Sequence, residues 1–527
     1  MRRGAAWLSL LLVLPAAAQT ASYAIAGRVV EAVTGAPMAR TTVRINDYSG
    51  RSVVATTQTT AEGEFRFDGL ARGKYSLYAE NQAYGTQLFG TKLRGARYGS
   101  AVAVGPGLDS EHLVFQMIPG GVIKGVVRDA DSDPTPRMHL VAYRLMGQLN
   151  RAEGVQAAST NDRGEYRFHG LPQGRYIVAG SGTPWYAQYS DGESASTYPL
   201  TFHPGTTRFE DAAAVEVTPG SEAEADLVVT PSRAVNLTVR MSGFECTERT
   251  VAVLSVIMGA TEMMATSYRM SPMPERAEGQ ADGVPACRLW AGAVTPGQYM
   301  LSMSGGLTDW AYRRTMEVRE GQETVEMQFV PTATVEGRLS IKGTVRRAPM
   351  IGLRVEGSPR SLFASVQADG SFRFGGAPAE TYQVFVGDLD QYAITAMQGQ
   401  GAKMAGGAIV VPETGKVELN LTIDTGARDV PGRALKGDQP AAGVFAILVP
   451  KEEVRRGVGC RMDQTDTDGT FRWQAVAPGD YIAFTFANGN ELDFQNPALL
   501  PETHPEAGVA VTVQNGLGET VELKLQD

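Results

Sequence analysis

The stretch TTAEGEFRFDGLARGKYSL, Thr59 to Leu77, sets apolar against polar residues with a period of two. Phe65 and Phe67 alternate with Glu64, Arg66 and Asp68, the pattern of a half-buried strand. Glu62-Gly63 ahead of it is a turn signal, because glycine accepts a positive φ without steric cost. Leu70 points inward, Gly73 marks a second turn, and Tyr75 and Leu77 alternate again. The phrase predicts turn, strand, tight connection, strand.

The phrase recurs along the chain. Tyr166 and Phe168 stand before Leu171, Gly174 and Tyr176. Phe372 and Phe374 stand before Ala377 and Tyr382, and Phe471 and Trp473 before Val476, Gly479 and Tyr481. A worn copy runs through Leu289, Ala291, Val294, Gly297 and Tyr299. Well upstream of each copy lies a first-strand phrase: IAGRVV from Ile25, IKGVVR from Ile123, VNLTVR from Val235, VEGRLS from Val335 and VPGRAL from Val430. EHLVFQM, EADLVVT, VEMQFVP, VELNLTI and VELKLQD read as last strands. Self-similarity of this kind marks replicated small domains.

Short alternating strands bury one face each, so two sheets must pack face to face. No long segment sustains a helical period, and 60 glycines and 28 prolines suit many turns. The sequence therefore predicts an all-β chain of five β-sandwich units at 19–118, 119–231, 232–331, 332–425 and 426–527. Links near Pro119-Gly120, Pro231-Ser232, Pro331-Thr332 and Thr425-Gly426 are short. They predict beads on stiff joints. The recurring aromatics read as core, not as a ligand site.

The opening MRRGAAWLSLLLVLPAAAQ has two arginines, an apolar run and an A-x-A site. It predicts a signal peptide over 1–18 and an extracytoplasmic protein, in the periplasm, at the cell surface or secreted. The apolar run is short for a membrane anchor and Pro15 interrupts it. No later stretch is apolar enough to insert in a membrane. Net charge is −9 with both signs interspersed, which argues against nucleic acid as a partner. Of the three cysteines, Cys246 and Cys287 fall in the third unit and are expected to form a disulfide. The alternative is two buried small side chains. Cys460 is read as a lone buried thiol.

The combination of [IV]-x-G-x-V with D-x-x-G-x-[FY]-x-F-x-x-L-x-x-G-x-Y-x-[LV] resembles the carboxypeptidase regulatory-like domain. That resemblance implies an Ig-/transthyretin-like sandwich, related to collagen-adhesin B-type repeats and to folds grouped as starch-binding-like. The segments from Thr197 to Val229 and from Asn496 to the last strand resemble extensions of large secreted repeat proteins of this type. The resemblance is good for units one, two, four and five and weak for unit three. It specifies fold and says little about function.

Chemistry is hard to find. The five histidines, His112, His139, His169, His203 and His504, form no zinc-ligand motif. There is no G-x-S-x-G elbow and no glycine-rich nucleotide loop. No catalytic residue, metal or cofactor is predicted, and the chain is read as not an enzyme. DQTDTDGTF, with Asp463, Asp466 and Asp468, has part of a calcium-loop spacing but lacks the closing glutamate. Its carboxylates read as solvated turn residues. The crosslink of some adhesin repeats would need a lysine, an asparagine and a buried acid in one unit, and no unit has all three.

What remains is a binding surface. Trp185, Tyr186, Tyr189 and Tyr198 crowd into the insertion TPWYAQYSDGESASTYPLTF of unit two, and Trp310 and Tyr312 make a smaller group in unit three. Flat rings beside hydrogen-bonding groups suit carbohydrate. The competing reading packs these rings on their own sandwich. The sequence thus predicts a secreted, non-catalytic binding protein for a polysaccharide or a cell-surface protein. The alternative is a structural surface rod that binds protein partners through sheet edges.

Overall fold

The computed structural model describes residues 22–525 outside 49, 51, 93, 95–97, 147–150, 188–195, 245, 247–248, 259–260, 275–285, 305–309, 346–348, 356–360, 388–392, 406–407, 426–427, 453–455, 457–458, 488–497, 499 and 515–519. The expected signal peptide lies outside the described residues. Strands dominate, and they form a tandem series of five β-sandwiches. In the first unit one sheet holds Tyr23–Glu31 between Glu64–Leu70 and Leu113–Met117. The facing sheet runs Val53–Gln58, Thr42–Asp47, Gly73–Asn81 and Gly85–Leu88, with Val102–Val104 also on Gly73–Asn81.

One arrangement repeats in every unit. The first strand pairs antiparallel with the aromatic strand and parallel with the last strand. A register shift recurs at the same place, between Tyr23 and Ile25, Phe168 and Leu171, Val235 and Leu237, Ala333 and Val335, and Arg428 and Val430. This is a β-bulge, which bends the strand and re-aims the chain. Beyond it the chain crosses to the second sheet, where the tyrosine strand lies.

The phrase residues have separable jobs. Phe65, Phe67, Tyr166, Phe168, Phe372, Phe374, Phe471 and Trp473 are all buried between the sheets. The tyrosine that follows donates its hydroxyl to the carbonyl four residues upstream in all five units. The pairs are Tyr75 to Ala71 at 3.0 Å, Tyr176 to Pro172 at 2.6 Å, Tyr299 to Thr295 at 2.7 Å, Tyr382 to Pro378 at 3.0 Å and Tyr481 to Ala477 at 2.7 Å. That bond ties the crossover to the strand it feeds, as in a tyrosine corner. In units one and four the glycine of the first strand answers to the last strand. A Cβ at Gly27 would lie 2.1 Å from the Leu113 carbonyl oxygen, and one at Gly337 1.8 Å from that of Leu419.

Unit three departs from this plan. Its strands join into one seven-stranded sheet, because Thr261–Pro274 pairs with Val251–Met258 at one end and Ala286–Val294 at the other. Leu237 stands where the other first strands have glycine. Methionines 241, 270, 303 and 316 fill its core, as flexible side chains do in irregular spaces. Cys246 and Cys287 are bonded there, with Cα atoms 5.3 Å apart.

Two units carry a further layer. In unit two Phe209 of the long extension lies edge-on to Phe202, covering Tyr143 and Ile177 on the outer sheet face. In unit five Leu500 covers Ile447, Val449 and Phe484 in the same way, and Cys460 packs beside them. Burial pushes the Cys460 thiol up to about 12.

The joints are contact surfaces. The Arg94 guanidinium donates to the carbonyls of Gly170 at 3.0 Å and Ile118 at 3.3 Å, linking units one and two. Ser196 and Thr197 pair with Arg233 and Ser232, and Leu200 packs on cores of units two and three. Arg313 bonds Glu380, and Arg314 lies 3.2 Å from Glu413, between units three and four. The fifth unit packs on the first, where Ser100 donates to the Thr465 carbonyl at 2.8 Å. The first and last units of the series are thus in contact.

Gly337→Ala is expected to loosen the last strand of unit four, at a cost on the order of 3 kcal/mol. Hydrogen exchange of Lys416–Asp424 measures it, and wild-type protection there would contradict the tight approach. Tyr382→Phe keeps the ring and loses the corner bond, for a loss of about 1 kcal/mol in denaturant unfolding.

Candidate functional site

The candidate binding residues separate once placed. Gly174–Gly182 is unit two's tyrosine strand, and a single 3-10 turn, Trp185–Ala187, follows it. Pro184 and Ala187 are buried, and the Ala187 N–H donates to the Pro184 carbonyl at 2.9 Å. With both anchors inward, the two residues between them face water. Trp185 is 67% exposed and Tyr186 53%. Their rings meet edge-to-face, 5.8 Å apart at 84°, a favourable geometry for aromatic pairs. Thr183 beside them is exposed.

Tyr198 and Tyr312 are corrections. Tyr198 is 3% exposed in the core of unit two, and Tyr312 is 2% exposed in that of unit three. Each sits at an inward position of its strand, so neither offers a ring face to a ligand. Tyr198 instead lies in the core near Tyr186. Burial first, then Tyr186 and Asp129 nearby, push its hydroxyl up to about 12. Tyr189 lies outside the described residues. Trp310 begins a strand that pairs with Gly297–Ser304, and its side chain lies outside the described residues.

A second constellation was not expected to be a site at all. The carboxylates of DQTDTDGTF are only partly solvated, and Asp466 is buried. Asp466 is 4% exposed, because the turn is pressed against the first unit. Its Oδ1 accepts the Ala101 N–H at 2.8 Å, and its Oδ2 lies 2.5 Å from Lys74 Nζ and 3.4 Å from the Tyr48 hydroxyl. Lys74 Nζ also lies 3.4 Å from Asp468 and donates to the Thr470 hydroxyl. The Tyr48 ring is flanked by Lys74 at 5.5 Å and Arg472 at 5.0 Å, within cation–π range. A lysine ammonium thus occupies the place among the aspartates that a calcium reading would give to a metal. Among the described residues no three His, Cys, Asp or Glu side chains gather as a metal would need.

The electrostatics follow from burial. It raises Asp466 against the pull of Lys74 and the Ala101 N–H. Asp463 is pushed up to about 6, first by burial and next by the charge of Asp466, although the N–H groups of Arg472 and Gln464 oppose this. Asp468 also feels burial, but the Thr470 hydroxyl and Lys74 outweigh it and hold the group low. The histidines stay dispersed, with His112 beside Asp109, His203 on the Asp226 carbonyl and His504 on Thr503. No helix among the described residues is long and apolar enough to cross a membrane.

The class of molecule is thus an array of immunoglobulin-like β-sandwiches whose terminal units touch. Residues 24–112 match the family model of the carboxypeptidase regulatory-like domain, so the first unit is similar to that domain. The chain is similar to several solved structures. The Bacillus anthracis TIE protein is 13% identical over 76% of this chain and 68% of that one, with a TM-score of 0.17. The minor pilin GBS52 of Streptococcus agalactiae is 14% identical over 40% of this chain and 96% of that one, with a TM-score of 0.23. Two B repeat units of the Staphylococcus aureus collagen binding protein are 10% identical over 77% of this chain and all of that one, 100%, with a TM-score of 0.13. Overlaps this loose transfer no function. No curated protein matches the chain.

Asp463 generates a pH prediction. A carboxyl held near 6 in the fold and near 3.8 when unfolded stabilises the fold below about pH 4 and loses that contribution as pH rises through about 6. The contribution is roughly 3 kcal/mol. The melting temperature of the wild type relative to Asp463→Asn is therefore expected to fall between pH 4 and pH 7. A difference that stays constant across that range would remove Asp463 as the titrating group.

Proposed function

We propose that the protein is an extracytoplasmic, non-catalytic binding protein, exported by the signal peptide at 1–18, whose Trp185–Tyr186 turn contacts carbohydrate. The observation that carries this reading is the presentation of the two rings. A turn flanked by buried Pro184 and Ala187 spends the two positions between them on large aromatic side chains in water. Exposing rings of this size forgoes the gain of burial, and exposed aromatic groups of this kind mark interaction sites. A sugar ring offers axial C–H groups to an aromatic face and hydroxyls to its polar surroundings, here Thr183. The five-unit division at 19–118, 119–231, 232–331, 332–425 and 426–527 makes unit two the binding module and the other units its frame. Of the other rings once grouped with this site, Tyr198 and Tyr312 are core.

The test is affinity electrophoresis of the full chain against cellulose derivatives, xylan, starch, mannan and chitin fragments, followed by tryptophan fluorescence for any sugar that retards it. Trp185→Ala is expected to weaken binding by about tenfold or more, and Tyr186→Ala by less. Binding unchanged in both variants would move the site elsewhere. Failure of the wild type on every sugar would reject the carbohydrate reading.

A further inference from the structure

The edge of the first unit's second sheet ends in Val102–Val104, which pairs with Gly73–Asn81 on one side only. Val102 and Val104 point into the core, while Ala101 and Ala103 face the fifth unit and are buried. A bare sheet edge offers unpaired N–H and C=O groups. Here the turn at residues 465–470 takes them. Ala101 N–H donates to Asp466 Oδ1 at 2.8 Å, Thr467 N–H to the Ala101 carbonyl at 3.0 Å, and Ala103 N–H to Thr467 Oγ1 at 2.9 Å. Gln464 Nε2 adds a bond to the Gly90 carbonyl at 2.7 Å. The small alanines let the turn approach, and Lys74 completes it with the ion pair to Asp466.

The pairing is selective in a way the repeats themselves display. Units one, two and four have the same turn, closed by Thr60 N–H to the Glu64 carbonyl, Asn161 to Glu165 and Gln367 to Ser371, as Asp466 is to Thr470. At the two positions that reach across, those turns carry Thr60 and Ala61, Asn161 and Asp162, and Gln367 and Ala368. Among these four turns only that of the fifth unit has an aspartate followed by a threonine. The backbone shape is shared, so the docking is written in two side chains.

From this we infer that the sheet edge at Ser100–Val104 with Lys74 is a recognition site for the fifth unit's turn, and that a second copy of the chain fills it when the chain's own ends part. The two halves are different surfaces, so the contact is heterologous: it closes within one chain or links chains head to tail. The surface is mostly hydrogen bonds and charge, which is typical of contacts between domains that separate and re-form. Within one chain the tether favours closure through effective concentration, so the closed monomer is the resting form.

Reversed charges test this in the full chain. Lys74→Glu and Asp466→Lys each place like charges across the contact. Each variant alone is expected to remain monomeric in light scattering, with a larger radius of gyration in X-ray scattering than the wild type. Mixed in equal amounts they are expected to form heterodimers, because one inter-chain contact is then the native Lys74–Asp466 pair and the other its reversal. The Lys74→Glu/Asp466→Lys double variant is expected to return towards the wild-type radius. Single variants that keep the wild-type radius, or a mixture that stays monomeric, would overturn the inference. If either reversal unfolds the protein by circular dichroism, Asp466→Thr/Thr467→Ala installs the pair that unit one's own turn carries. That variant must then expand while keeping its β-sheet spectrum, and an unexpanded one counts against the site.

Discussion

Each unit depends on the first strand being held from both sides, antiparallel by the aromatic strand and parallel by the last strand. The parallel contact brings two backbones so close at Gly27 and Gly337 that a side chain has no room. Glycine in a strand interior is ordinarily unfavourable, so its place in the phrase reflects a packing need. Antiparallel neighbours can be joined by a tight turn, whereas a parallel partner must come from far along the chain. The whole unit therefore has to fold before this strand is complete. The bulge and the tyrosine corner serve the same end, because they fix where the chain leaves one sheet and enters the other.

Closure of the ends changes what kind of object the chain is. A row of sandwiches touching only neighbours has independent joints, and its shape depends on each. Contact between unit five and unit one couples those joints. The contact also places charge in a nearly dry setting, where an unpaired group is costly. Lys74, the Ala101 N–H and the Tyr48 hydroxyl partner Asp466 from the first unit. The carboxylate is thus best satisfied when both units are present, a form of specificity that apolar packing alone does not give.

Much of the fold was legible because strand burial has a period of two, and the aromatic positions obey it in every unit. The tyrosine was legible as a core residue, but its hydroxyl bond was not, since the acceptor is a carbonyl with no side-chain signature. The binding candidates were grouped by crowding, and crowding ignores parity. Tyr198 and Tyr312 sit on strands whose alternation turns them inward, whereas Trp185 and Tyr186 sit on a turn with no such alternation. The fifth unit's turn was misread because DTDG is locally identical to a solvated turn. Its burial comes from residues roughly 365 positions away, which no local pattern reports. A comparison among the repeats held the available clue, for Asp466 and Thr467 break the series of Thr60-Ala61 and Gln367-Ala368.

Unit three shows how far the plan bends before another constraint must replace what is lost. With Leu237 in place of glycine, its last strand, Thr324–Gln328, has no fully buried residue, with Val325 and Met327 only half-buried. The parallel contact is thereby weakened. In exchange, Thr261–Pro274 runs on from one sheet into the other and joins their edges by hydrogen bonds, while the bond between Cys246 and Cys287 ties the end of the first strand to its antiparallel neighbour. Closing a loop of 41 residues removes denatured-state freedom worth about 4 kcal/mol in the chain-entropy model. A covalent tie and a shared strand thus hold the middle unit where packing is least regular, and the middle unit carries the connection between the two halves whose ends meet.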